Sequence, residues 1–210
     1  MRLLSVTILI LITTITNGQT SLDEIDLNIG NYKVGFKHYN TSDSTRTYTR
    51  IYDYNNQKIP RPIPISIWYP SNQDTNGKEQ LSVLNYLEIL KQEEEWEHLP
   101  NEQILNWFYY PNTPENQSHQ KELTNAYSEL EYANEKFPVI VYAPSYQASS
   151  IENFAICEYL ASHGYVVISS PSRGTETRWF SNNNAKEMEN QARDVEFLIK
   201  EVGKFPKANY

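Results

Sequence analysis

Six serines, Ser145, Ser149, Ser150, Ser169, Ser170 and Ser172, crowd two short stretches that each follow an apolar run. A serine hydroxyl attacks an acyl carbon only when a histidine takes its proton and a carboxylate orients that histidine. His163 and Asp194 are the nearest partners, and neither is well placed. His163 ends an expected helix just before Gly164, where the helix dipole favours it, and Asp194 sits beside Arg193 in a helical stretch, as in a structural ion pair. No triad is assembled from these residues. His38, His98 and His119 have no metal-ligand spacing, and Cys157, the single cysteine, has no cationic neighbour in sequence to activate it. Arg173 and Arg178 follow the second apolar run, where a guanidinium either grips a substrate carboxylate or phosphate or, more commonly, anchors its loop.

Residues 137–174 are organised to position these groups. Val139 to Ala143 and Tyr165 to Ser169 are short β-branched runs of the kind found in buried parallel strands. Between them Ile156, Tyr159, Leu160 and His163 recur at helical spacing, and Gly164 stands at a helix stop. The expected unit is a right-handed β-loop-α-β crossover in an α/β sheet. Ligands bind such sheets at the carboxyl ends of strands, here the segments 144–150 and 171–178.

Asn31 to Tyr39 and Pro62 to Tyr69 alternate and predict an antiparallel hairpin at the sheet edge, with prolines 60, 62, 64 and 70 confined to an edge strand. Residues at about 74–136 predict a helical insertion with three stripes, Leu84/Leu87/Leu90, Ile104/Leu105/Phe108 and Leu123/Tyr127/Leu130. The aromatics Trp107 to Tyr110 in it suit packing more than a lid. The run Glu93 to Glu95 is expected to be solvated surface. A last helix, from about Ala185 to Val202, presents Met188, Ala192, Val195, Ile199 and Val202 on one face.

The chain has 26 acidic and 18 basic side chains, a net charge of -8, and no basic cluster, which argues against a nucleic-acid partner. Hydrophobic residues make up 39% of the 210, enough for one sizeable core. Residues 1–18 read as a signal peptide: Arg2, then the apolar run Leu3 to Ile15, then small residues before Gln19. This predicts a secreted or periplasmic product, with no later run of membrane length. Sequons stand at Asn40 and Asn116.

The order of FPVIVYAP, LASHGYVV with PSRG, and ARDVEFL resembles the α/β hydrolase superfamily, and within it the dienelactone hydrolase and platelet-activating-factor acetylhydrolase-like group. The resemblance covers Asn31 to Val202 apart from the insertion. It implies a mostly parallel α/β hydrolase-type sheet with an antiparallel amino-terminal edge, acting on a small-molecule or lipid ester without cofactor or metal. The family usually has His-Gly at the end of the third strand, followed by an oxyanion-binding N–H. The matching residues are Pro144 and Ser145, with the Tyr146 backbone N–H as the donor candidate and Ser145, Gln147 and Arg173 as substrate-pocket candidates. The family's GxSxG elbow occurs nowhere in the chain. The resemblance therefore implies an amino-terminal portion, ending before the elbow strand, of an esterase whose nucleophile, acid and histidine lie beyond Tyr210. The alternative is a non-catalytic exported binding domain of the same fold.

Overall fold

The computed structural model describes Leu22, residues 25–204 and residues 208–209; the expected signal peptide lies outside them. In chain order the elements are β1 (Lys33–Tyr48), β2 (Ile59–Ser71), β3 (Gln80–Ser82), α1 (Val83–Glu93), a 3-10 turn at Asn101–Gln103, α2 (Ile104–Trp107), α3 (Pro114–His119), β4 (Leu123–Ser128), β5 (Phe137–Tyr142), α4 (Phe154–Ser162), β6 (Val166–Ser169), α5 (Asn184–Val202) and β7 (Ala208–Asn209). They form a mixed α/β structure on one sheet of order β3-β4-β1-β2-β6-β5-β7.

The crossover forms as its residues dictate. β5 and β6 pair in parallel from Val139↔Val166 to Tyr142↔Ser169, and α4 connects them. Gly164, at φ +91°, makes the left-handed exit from α4 that a side chain would resist. The buried face of α4 is Cys157, Glu158, Ala161 and Ser162, while Ile156 is exposed, so the stripe expected from the leading apolar positions is rotated by one residue.

The sheet differs from expectation in four respects. Parallel and antiparallel pairings are balanced rather than mostly parallel: β1–β4, β5–β6 and β5–β7 are parallel, whereas β1–β2, β2–β6 and β3–β4 are antiparallel. The β1–β2 hairpin is not the edge, because β3 and β4 of the insertion extend the sheet beyond β1. Leu123 to Ser128, expected as a helix, alternates with Thr124 and Ala126 buried, and that period of two selects a strand. Finally, the strand after α5, expected to fall beyond the chain, begins within it: Ala208 and Asn209 pair with Phe137 and Pro138.

Although β2 lies between β1 and β6, its prolines are accommodated. β6 covers only Ser66 to Trp68, leaving Pro60, Pro62 and Pro64 where β2 has a partner on one side alone. Strand alternation then builds two cores. Trp68 and Val167 face α1 and α4, with Phe36, Tyr86, Ile89 and Cys157. Ile63, Ile65, Ile67, Val166 and Ile168 face α5, with Leu198 and Val202. Only the carboxyl half of α5 joins that core. Its other buried residues are Glu187, Asn190 and Asp194, and Met188 and Ile199 of the expected apolar face are exposed. Arg46 and Arg61 of the hairpin draw the polar side inward: Arg61 forks onto Asp194 at 3.0 and 2.6 Å, and Arg46 reaches Asn190 at 2.8 Å.

Candidate active site

Because β5 and β6 are parallel, the loops 143–153 and 170–183 leave the sheet at the same end. They are fastened to one another. Ser172 N–H donates to Ala148 O at 2.9 Å, Phe180 N–H donates to Gln147 Oε1 at 3.0 Å, and the Tyr146 and Phe180 rings meet edge-on at 4.4 Å.

Both loops are also fastened to the end of α1 through the glutamate run expected on the surface. Glu93, Glu94 and Glu95 are all buried, with Glu93 only 1% exposed. Each carboxylate has its own donors, which is what allows three adjacent charges to leave water. Glu93 accepts the hydroxyls of Ser149 and Ser150 and the Ser150 N–H. Glu94 receives the fork of Arg178, which also donates to Gln147 O and Ser172 O. Glu95 accepts Tyr48 O–H at 2.6 Å and Ile51 N–H at 2.8 Å and lies 3.5 Å from Arg173. Nothing in the local sequence distinguishes this run from a solvated one; its partners come from four distant segments.

The resulting turn has the shape an anion-binding backbone needs. Ala148 N–H closes onto Ser145 O at 3.0 Å, and Gln147 takes φ +55°. The turn thus adopts the left-handed conformation for which glycine is usually required, despite the absence of one. Among the described residues the Tyr146 N–H donates to no protein group, and the Tyr146 side chain is 70% exposed. Ser145 N–H is already donated to Glu152 at 2.9 Å.

Of the candidate residues, Arg173 and Gln147 line two separate cavities, whereas Ser145 and Tyr146 line neither of these. Arg173 lines one of about 660 Å³ with Arg50, Glu88, Lys91, Glu93 and Glu95, but its guanidinium is buried against Glu93 O, Glu95 and the Tyr48 ring. Arg178 is likewise buried in its pair with Glu94. Both arginines anchor loops, and Arg173, a substrate-pocket candidate, borders the first cavity with its guanidinium held by the protein. Gln147 lines a second cavity of about 760 Å³ on the other side of the glutamate run. Asp194 is in a structural ion pair as expected, with Arg61 and Arg46 rather than Arg193, which binds exposed Glu189. His163 ends α4 with Nδ1 2.8 Å from Tyr159 O, at the end of the sheet opposite to the loops.

One constellation escaped sequence reasoning because its members lie on separate elements. His38 Nδ1 is 3.0 Å from Ser66 Oγ, Ser66 Oγ is 2.7 Å from Ser150 Oγ, and Ser150 donates to Glu93 at 2.6 Å. The composition is that of a nucleophilic relay, yet Ser66 and Ser150 are wholly buried and no substrate reaches them. Burial holds the His38 imidazole below its ordinary pKa and hence neutral, against the pull of Glu93. This chain braces the loop. Cys157 is equally enclosed, its thiol pushed up to about 12 by burial. Among the described residues no group of His, Cys, Asp and Glu is arranged to hold a metal, and no helix is long and apolar enough to cross a membrane.

The structure is similar to that of a ferulic acid esterase from Streptomyces cinnamoneus, with a TM-score of 0.54 and 17% identity over 84% of this chain and 48% of the esterase. The chain spans about half the length of that protein. At this identity the likeness is one of fold, and that fold is hydrolase-like. No family model matches the chain, and no curated protein matches it.

Proposed function

We propose that this chain is the amino-terminal part of an exported serine hydrolase of the α/β hydrolase class, acting on a carboxylic ester. The observation that carries the proposal is the Tyr146 N–H, undonated at the carboxyl end of β5 in a turn clamped by Arg178 and Glu94. The strand order around it supports the same reading. β7 starts parallel to β5 on the side away from β6, so a turn following β7 emerges next to Tyr146. A strand-to-helix elbow there presents its serine at the top of the sheet.

In that reaction a serine encoded after Asn209 attacks the ester carbon, and a histidine oriented by an acid removes its proton. The carbonyl oxygen becomes an oxyanion that accepts the Tyr146 N–H. Collapse breaks the bond to the alcohol, which leaves with the proton from the histidine. A water then repeats the sequence on the acyl-enzyme. One preorganised backbone donor contributes about 10² to 10³ in turnover.

The test begins with the coding sequence past Tyr210, where a strand and a GxSxG elbow are expected within roughly thirty residues. The full-length product should label with a fluorophosphonate and hydrolyse 4-nitrophenyl acetate, and insertion of one residue between Tyr146 and Ser149 should abolish turnover. Full activity with the insertion would reject Tyr146 as the donor. The second reading, a binding domain without catalysis, is favoured by the burial of Ser66, Ser149 and Ser150. Failure of the full-length product to label would select it.

A further inference from the structure

The 760 Å³ cavity beside Gln147 is unexplained by the loop clamp, and so is the leucine stripe of α1. The core takes Tyr86 and Ile89 from that helix, with Leu90 packed against it. Leu87, with Val83 and the other side of Leu90, lines the cavity. Leu105 of α2, Ile151 of the loop before α4 and Phe154 at its start complete an apolar wall, Gln147, Ala148 and Ser149 of the oxyanion-candidate turn form one side, and Thr113, Asn116, His119 and Gln120 around α3 form a polar one. The volume falls in the range of small-molecule sites, about 300–1,000 Å³.

The charges at the rim select what enters. Glu94 is matched by Arg178, whereas Glu115 and Glu152 also border the cavity and no lysine or arginine among the described residues lines it. Glu152 is fixed by Ser145 N–H at 2.9 Å and Tyr142 O–H at 3.1 Å. An anionic ligand meets these carboxylates, and the lining imidazole, His119, has its Nδ1 3.2 Å from Glu122, while a neutral apolar group meets leucine, isoleucine and phenylalanine.

We infer that this cavity, between α1, α2 and the 145–154 loop, binds the neutral apolar acyl group of an ester and disfavours the free acid. The word acyl rests on the hydrolase reading above; the binding itself does not. With the acyl group in the cavity, its carbonyl end lies toward the turn that carries Tyr146. The acid released by hydrolysis acquires a charge that the rim repels, which favours its departure.

Binding is measured on the full-length protein with 4-nitrophenyl hexyl ether, a neutral and unreactive stand-in for the hexanoate ester. Saturable binding is expected, with sodium hexanoate at least about ten-fold weaker because its carboxylate is desolvated beside Glu115 and Glu152 with no lysine or arginine among the described lining residues to pair it. Leu87→Trp fills the cavity from a position outside both buried cores, and should weaken the ether about ten-fold or more, the scale on which an apolar pocket discriminates size. Thermal unfolding checks that the variant is folded. Should it not be, Leu87→Ala replaces it, with an expected loosening of about three-fold from lost lining contacts. No ether binding by the parent, equal binding of hexanoate, or binding unchanged in a folded Leu87 variant would each overturn the inference. Fluorophosphonate labelling is scored separately, so ether binding without labelling rejects the hydrolase and keeps the cavity, and labelling without ether binding does the reverse.

Discussion

The carboxylate of Glu93 accepts both the N–H and the hydroxyl of Ser150, at 2.8 and 2.6 Å, across 57 residues of sequence. With Ser149 as a third donor, Glu93 ties the end of α1 to the loop after β5. Charge-assisted hydrogen bonds of this kind make the clamp specific as well as strong.

Glu93→Ala leaves those donors buried without an acceptor, and each buried unsatisfied group costs about 1–3 kcal/mol. A loss of roughly 3 kcal/mol or more in urea unfolding is expected, against about 1 kcal/mol for Glu93→Gln, whose amide oxygen still accepts. Equal losses for the two variants would show that the site's volume matters and its acceptors do not.

Removing one partner of a buried ion pair strands the other. Arg178→Met should therefore cost about 3–5 kcal/mol, since Glu94 stays buried beside an apolar side chain. Arg193→Ala serves as the contrast: its pair with Glu189 is exposed, and a change within about 0.5 kcal/mol is expected. Denaturation midpoints of the two proteins measured side by side decide the matter; similar midpoints would mean that Glu94 finds water or another donor.

At Gln147 the backbone and the side chain pull in opposite directions. Its φ of +55° costs about 1 kcal/mol for a residue with a Cβ, which glycine would recover. Gln147→Gly also loses the bond from Phe180 N–H, again about 1 kcal/mol, so a near-neutral change in stability is expected. Gln147→Val, β-branched at positive φ, should destabilise by about 2 kcal/mol or more. A valine variant as stable as the parent would show that the turn adopts another conformation in solution.

Glu158 supplies a pH dependence. Burial raises its carboxyl to about 6, against the hydrogen bonds from Tyr86 O–H and Asn125 N–H that favour the charged form. The folded protein holds this proton more tightly than the unfolded chain, so stability falls as pH rises from about 4.5 to about 6 and stays at the lower level above. The contribution is roughly 2 kcal/mol, and Glu158→Gln should remove it. Chemical denaturation at pH 4.5, 5.5 and 7 gives the comparison; parallel profiles for parent and variant would place the titration of Glu158 elsewhere.

What could be read in the residues was local. The β5-α4-β6 unit, the hairpin, the helix of α5 and the Gly164 stop each follow from periodicity or from a backbone preference carried by a single residue. Asp194 as a structural ion-pair residue and Cys157 as an enclosed thiol were legible too, because their neighbours in sequence offered no chemistry to activate them. The faces of α4 and α5 were not, since a helix with apolar groups on more than one side is oriented by what packs against it. For α5 that partner was the pair Arg46 and Arg61, distant in sequence and unsignalled by it.

The candidate site depended most on tertiary structure. A glutamate triplet reads as solvated unless donors surround it, and those of Glu93 to Glu95 arrive from β1, the β1–β2 turn and the loops after β5 and β6. The same assembly turns Gln147 left-handed, leaves the Tyr146 N–H undonated among the described residues and holds the Arg173 guanidinium against Glu95. Sequence determined the β5-α4-β6 crossover, the hairpin and the last helix, but not that Leu123 to Ser128 is a strand. Only long-range electrostatics and packing, which join residues through space without regard to their spacing in the chain, decided which polar groups are satisfied and which are left to meet a ligand.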